Sequence, residues 1–103
     1  MSEVHKELES TDDIHKAFET KDRNVFFFVH EGFIPPPAVE NAKRFTDTTD
    51  AYSLNVSKLP SAKEHLKIEK LPTAIVFRNG EEVKRVDEMN PQAMKGIEDV
   101  LKA

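Results

Sequence analysis

The sequence predicts an α/β fold of three layers, in which a central mixed β-sheet is flanked by helices on both faces. Its 103 residues suit a single domain spanning residues 1–103. Short apolar runs alternate with segments of helical periodicity, which is typical of helices that cross between parallel strands. The Asn79-Gly80 pair is a strong hairpin signal and adds an antiparallel pair of strands near the C-terminus.

The first half is predicted to supply two strands and two helices. Residues 3–7 are a weakly indicated first strand, and Ser10-Thr11-Asp12-Asp13 starts a helix with a cap and acids in its first turn. Residues 24–29 are an apolar run that predicts a strand buried on both faces. Because a residue that precedes proline is disfavoured in the α region, the second helix is expected to begin no earlier than about Pro37.

The second half is predicted to supply three strands and two helices, so the order is β-α-β-α-β-α-β-β-α. Alternating apolar residues indicate strands, and a spacing of three or four residues indicates helices. In chain order these elements are a strand at 52–56, a short helix at 60–67, a strand at 74–77, a returning strand with Val83 and Val86, and a helix that begins at Asn90-Pro91.

Composition excludes several classes of function. The formal net charge is −4 and the basic residues form no stripe, so nucleic-acid binding has no electrostatic basis. The longest apolar run, residues 25–29, is too short for a membrane span, and the polar start has no secretory core, so the expected location is the cytoplasm. Because the chain has no cysteine, it has no disulfide, thiolate nucleophile or cysteine-held metal.

One segment carries a family resemblance. From Leu54-Asn55-Val56 onward the chain has a strand, a short helix, the sequence Leu71-Pro72-Thr73, an apolar strand and the Asn79-Gly80 hairpin. In this order and spacing the sequence resembles thioredoxins, and Pro72 falls where that family has its cis-proline. The resemblance covers nearly the whole chain, and it implies the thioredoxin fold.

The departures from that family concern its redox chemistry. Thioredoxins carry Trp-Cys-Gly-Pro-Cys-Lys where this chain has Glu31-Gly32-Phe33-Ile34-Pro35-Pro36, so both sulfurs are absent. The family's buried acid on the preceding strand corresponds to Phe26. We therefore expect no disulfide oxidoreductase activity, and the chain is not expected to be an enzyme. A buried carboxylate is costly, so an aromatic residue at this position is expected to favour stability.

The three consecutive prolines, residues 35–37, limit what the loop can bind. Free N–H groups at a helix N-terminus attract anions and thiolates, and three prolines remove three such donors. The loop is therefore a poor cradle for a phosphate or a thiolate. A polyproline ligand for an aromatic groove is one alternative, but a rigid loop that fixes the helix start is favoured.

The resemblance also implies a partner-binding face. In thioredoxin-like proteins this face is formed by the active-site loop, the residues at the cis-proline and the loop before the last helix. By position these residues are Gly32, Phe33, Ile34, Leu71, Pro72, Glu88 and Met89. If Phe33 and Ile34 are exposed, they form an apolar patch for a partner; alternatively they fold inward and cap the second helix.

The histidines are not expected to form a metal site. His30 and Glu31 are adjacent at a strand end, His65 lies on the short helix, and His5 and His15 are expected to lie elsewhere. A metal site needs three or four converging ligands, and no close histidine spacing occurs. We therefore expect no metal and no cofactor.

Two functions follow as hypotheses. The first is a redox-inactive protein- or peptide-binding or assembly module, whose partner is a protein or an extended peptide. The alternative is a glutathione- or small-molecule-binding enzyme on the same scaffold, because the cis-proline backbone holds γ-glutamyl peptides in related folds. A homodimer is a further possibility for the assembly role.

Overall fold

The computed structural model describes residues 6–32, 36–87 and 91–102. Within them it contains a five-stranded sheet with the strand order β1-β3-β2-β4-β5 and helices between the strands. The elements are β1 (Lys6–Glu7), α1 (Thr11–Phe18), β2 (Asn24–His30), α2 (Pro36–Lys43), β3 (Thr49–Asn55), α3 (Ser61–His65), β4 (Thr73–Arg78), β5 (Glu81–Val86) and α4 (Pro91–Lys102).

The sheet is mixed, as predicted. β3 is parallel to both β1 and β2, whereas β4 is antiparallel to both β2 and β5. The Asn79-Gly80 pair connects β4 to β5, and both residues have positive φ angles of 55° and 83°. These values suit the tight hairpin turn that the sequence predicts.

Alternate side chains of β2 enter two separate cores, one on each face of the sheet. Val25, Phe27 and Val29 pack with residues of α1 and α3 on what we call the α1/α3 face. Phe26 and Phe28 pack on the other side, the α4 face. There they meet Phe45, which follows α2, and Ile97 and Leu101 of α4. Helices thus cover both faces, which confirms the three-layer prediction.

The helix boundaries agree with the sequence to within a few residues. Ser10 is the N-cap of α1, and its side chain accepts a hydrogen bond from Asp13 N at 3.2 Å. α2 begins at Pro36, one residue earlier than expected, because a first-turn N–H has no partner within the helix and its loss costs nothing. α3 is shorter than predicted, since Lys67 has a φ of 56°, which no right-handed helix can include.

The C-terminus of α4 is held by polar side chains from the sheet. Asn24 Nδ2 donates to the Leu101 carbonyl at 3.2 Å, and an Arg78 guanidinium nitrogen donates to the Val100 carbonyl at 3.1 Å. These bonds supply partners for carbonyls that a helix end leaves unpaired. A pocket of about 370 Å³ lies beside them, at the end of the sheet where β2 begins.

None of the helices in the described ranges combines the length and the apolar character that crossing a membrane requires.

Candidate functional site

The sequence-predicted face lies at the end of the sheet where β2 and β3 finish and β4 begins. Val29 pairs with Thr73 across the antiparallel pair, and His30 pairs with Asn55 across the parallel pair. The chain beyond β2 therefore leaves the sheet next to the segment that enters β4. In open α/β sheets ligands bind outside the carboxyl ends of strands whose connections run to opposite faces, which is the situation of β2 and β3.

Three of the seven predicted face residues lie within the described residues. Gly32 is exposed, and a Cβ added to it would meet no atom within 4 Å. Leu71 and Pro72 are half-buried and are joined by a cis peptide bond. We call Gly32, Leu71 and Pro72 the candidate face. The other four predicted residues, Phe33, Ile34, Glu88 and Met89, lie outside the described residues.

The side chain and the main chain of Leu71 have different surroundings. Its side chain packs against the core of the α1/α3 face. Within the part of the chain that the structure describes, neither its N–H nor its carbonyl makes a hydrogen bond. Next to it, the hydroxyl of the fully buried Thr73 donates to the Lys70 carbonyl. The turn into β4 is thus closed by a bond between Thr73 and Lys70, the two residues that flank Leu71 and Pro72.

The exit from β2 is tied to the end of β3. Val56 N donates to the His30 carbonyl at 2.9 Å, and Ser57 Oγ donates to the Glu31 carbonyl at 2.9 Å. Ser57 N in turn donates to Asn55 Oδ1 at 2.9 Å. These bonds continue the pairing of β2 and β3 past the last residue of β2. The backbone just before Gly32 is therefore held in place.

His30 is buried beneath this exit. It is 7% exposed, and its Nδ1 is enclosed without a hydrogen-bond partner among the described residues. Burial lowers the pKa of His30, Glu7 acts to raise that pKa, and Lys58 acts to lower it. A general base must reach the proton that it removes. In this conformation the enclosed Nδ1 is out of reach of any ligand at the surface.

The position of the family's buried acid is apolar, as the sequence predicts. Phe26 is 3% exposed and packs in the core of the α4 face. With no cysteine in the chain, the face has neither the sulfurs nor the buried carboxylate of a dithiol site. The chain therefore lacks the groups that carry out dithiol chemistry in thioredoxins.

One sequence prediction about the histidines is wrong. The sequence places His15 away from His65, but the two imidazole rings, one on α1 and one on α3, lie in an edge-on contact with centroids 5.1 Å apart. Sequence reasoning missed this because the contact depends on how the two helices pack. Across residues 6–32, 36–87 and 91–102, no three metal-ligating side chains converge.

Comparison with known proteins supports this description. No protein-family model matches the chain. Thioredoxin-1 of Saccharomyces cerevisiae is 32% identical over 59 residues, which is 57% of this chain and 57% of the relative. Thioredoxin AMT13 of Alternaria alternata is 33% identical over 70 residues, covering 68% of this chain and 56% of the relative. The matched stretches thus span little more than half the length of these relatives.

Solved structures extend the likeness to the whole fold. The thioredoxin of Trypanosoma brucei brucei superposes with a TM-score of 0.81, covering 96% of this chain and 92% of that one at 17% identity. The chain has the thioredoxin fold. Malassezia sympodialis thioredoxin, at a TM-score of 0.79 and 16% identity over 96% of this chain and 91% of its own, agrees. The protein is therefore thioredoxin-like in sequence and in fold, and it contains no cysteine.

Proposed function

We propose that this chain is a redox-inactive thioredoxin-fold module that binds an extended peptide or protein segment at the candidate face. The observation that carries the proposal is the main chain of Leu71, which makes no hydrogen bond within the described residues. Main-chain N–H and carbonyl groups that are shielded from water are nearly always paired in folded proteins. A half-buried residue with both groups free is therefore suited to pairing with a second chain.

The position of Leu71 favours an extended ligand. The residue lies just before β4, whose first residue pairs with β2. A segment laid along this turn would form main-chain bonds in the manner of β-strand addition, in which backbone pairing gives affinity and side-chain pockets give specificity. Because the half-buried side chain of Leu71 packs against the core, the backbone of this residue would supply the hydrogen bonds to the ligand.

Gly32 supplies space on the other side of the same face. It is exposed and presents no side chain, and a Cβ added to it would enter open space. An extended segment can therefore approach Leu71 without meeting a side chain at position 32. In the proposal, Phe33, Ile34, Glu88 and Met89 add side-chain contacts around this core of the face.

The test uses Gly32→Glu, since a side chain here enters open space and should leave the fold intact while blocking the face. Val83→Glu is the matched control, because Val83 is an exposed apolar residue on β5, away from the candidate face. Proteins captured by the wild type from a reducing lysate are identified, purified and titrated against all three forms. We expect Gly32→Glu to weaken binding by about tenfold or more, equivalent to about 1.4 kcal/mol, and Val83→Glu to bind normally.

Hydrogen exchange at Leu71 provides the site-specific measurement. Its amide has no hydrogen-bond partner among the described residues, so it should exchange rapidly in the free protein and become protected in the complex. Equal binding by Gly32→Glu and the wild type, together with a Leu71 amide that stays unprotected, would refute the proposal. Glutathione is titrated in parallel. Protection of Leu71 by glutathione, with no captured protein, would instead support the small-molecule alternative.

A further inference from the structure

The pair His15 and His65 lies on the α1/α3 face, on helices that the sequence places far apart. The ring centroids are 5.1 Å apart and the ring planes meet at 78°. Both residues are exposed. The pair belongs to neither the candidate face nor the core, so its proximity is not explained by the proposed peptide binding.

The backbone positions of the two histidines are fixed by their buried neighbours. Ile14, next to His15, is fully buried, and Leu66, next to His65, is 6% exposed. Ile14 and Leu66 belong to the same core on the α1/α3 face. Because the core sets how α1 and α3 pack, the fold fixes the distance between the backbone positions that carry the two rings.

The ring separation agrees with the geometry of a shared metal ion. With a metal–nitrogen bond of about 2.0 to 2.1 Å, an imidazole centroid lies about 3.2 Å from the ion, and two such centroids at a tetrahedral angle lie about 5.2 Å apart. The observed separation is 5.1 Å. Rotation about χ2 turns the ring nitrogens while it leaves the centroid almost in place, and this torsion is soft for histidine. The nitrogens of both rings can therefore be reoriented without changing the centroid separation.

We propose that His15 and His65 form a two-histidine site for a divalent transition-metal ion, with water completing the coordination shell. Imidazole is a good ligand for Zn²⁺ and Cu²⁺, and among the divalent first-row metals Cu²⁺ binds a given nitrogen site most tightly. Hard cations such as Mg²⁺ prefer oxygen ligands and should not bind here. With two protein ligands the site is weaker than a closed structural zinc site, and the bound ion links α1 to α3.

The experiment is calorimetric titration of the full, tag-free chain with Cu²⁺, Zn²⁺ and Mg²⁺, at a pH where imidazole is neutral. The variants are His15→Ala, His65→Ala and, as matched control, His5→Ala, which removes a histidine outside the pair. Loss of a supporting residue around a metal site costs about 10- to 100-fold in affinity, so loss of a direct ligand should cost at least that. We expect this weakening in both pair variants, one ion per wild-type chain, and no change in His5→Ala.

Two further measurements make the assignment specific. Binding should raise the melting temperature of the wild type and leave that of either pair variant unchanged, since only a ligand of the folded state stabilises it. In NMR spectra Cu²⁺ should broaden the imidazole signals of His15 and His65 together at low metal-to-protein ratio. Absence of Cu²⁺ and Zn²⁺ binding, or binding that survives in both pair variants as adventitious binding elsewhere, would overturn the proposal.

Discussion

Asn24 offers a direct test of how α4 is held against the sheet. It is 5% exposed and makes three side-chain hydrogen bonds. Its Nδ2 donates to the Leu101 carbonyl at 3.2 Å and to Thr49 Oγ1 at 3.4 Å, while its Oδ1 accepts from Arg78 Nε at 2.9 Å. The residue thus joins the start of β2, the end of β4 and the last turn of α4.

The substitution Asn24→Ala removes all three bonds without adding volume. Each bond contributes about 0.5 to 1.5 kcal/mol net, and partners left unpaired in a buried site cost more. We therefore expect the free energy of unfolding to fall by about 2 to 4 kcal/mol. For a domain of this size, about 1 kcal/mol shifts the melting temperature by about 4 to 8 °C, so the melting temperature should fall by about 10 °C or more.

Urea unfolding measures this change, with an unaltered slope showing that the native state keeps its compactness. A double-mutant cycle with Arg78→Met isolates the Asn24–Arg78 contribution, and we expect a coupling energy of about 0.5 to 3 kcal/mol. A loss below about 1 kcal/mol for Asn24→Ala would refute this reasoning. So would strict additivity of the two substitutions, because it would mean that the two side chains act independently.

Two further predictions concern His30 and Gly80. Because burial lowers the pKa of His30, the unfolded chain binds a proton more readily as pH falls below about 6.5. The free energy of unfolding should therefore decrease as the pH falls through that range, and His30→Leu should remove this part of the pH dependence. Urea titrations at several pH values measure the effect. The same pH dependence in the wild type and in His30→Leu would contradict the prediction. Gly80→Ala places a Cβ 3.3 Å from the Phe18 carbonyl oxygen, at a residue with a φ of 83°. The substitution should lower the free energy of unfolding by about 1 kcal/mol or more. Gly32→Ala, where the added Cβ enters open space, should be nearly neutral or slightly stabilising. Equal melting temperatures for the two alanine variants would show that the turn at Gly80 has no need of glycine.

The sequence alone could predict those parts of the fold that depend on local patterns. The cap at Ser10, the apolar run of β2 and the hairpin at Asn79-Gly80 all follow from short-range physical preferences, and all three are present. The end of α3 could not be predicted in this way. Its apolar spacing continues toward Lys67, and the left-handed conformation of Lys67 that ends the helix has no marker in residue type.

Contacts between distant elements could be predicted least. Arg85 is an example, because the polar pattern of its strand predicts a charged side chain that points into solvent. In the structure its guanidinium donates to the Leu66 carbonyl at 2.8 Å and to the Lys67 carbonyl at 3.1 Å, which ties β5 to the end of α3. The His15–His65 pair was missed for the same reason. Such contacts depend on which helices and strands lie next to each other in space, and the order of the strands in the sheet determines this.

The candidate face was placed by resemblance, and the structure adds a physical reason for the kind of ligand proposed. A face whose recognition groups are side chains selects particular sequences, whereas the groups of Leu71 that make no hydrogen bond to any described residue belong to the main chain. Main-chain pairing is satisfied by almost any extended segment. Selection among ligand sequences must then come from the side chains that flank the ligand. Gly32 has no side chain and so does not contribute to this selection. Substitutions around the face should therefore change which partner is bound, while the Leu71 amide should be protected from hydrogen exchange in every complex.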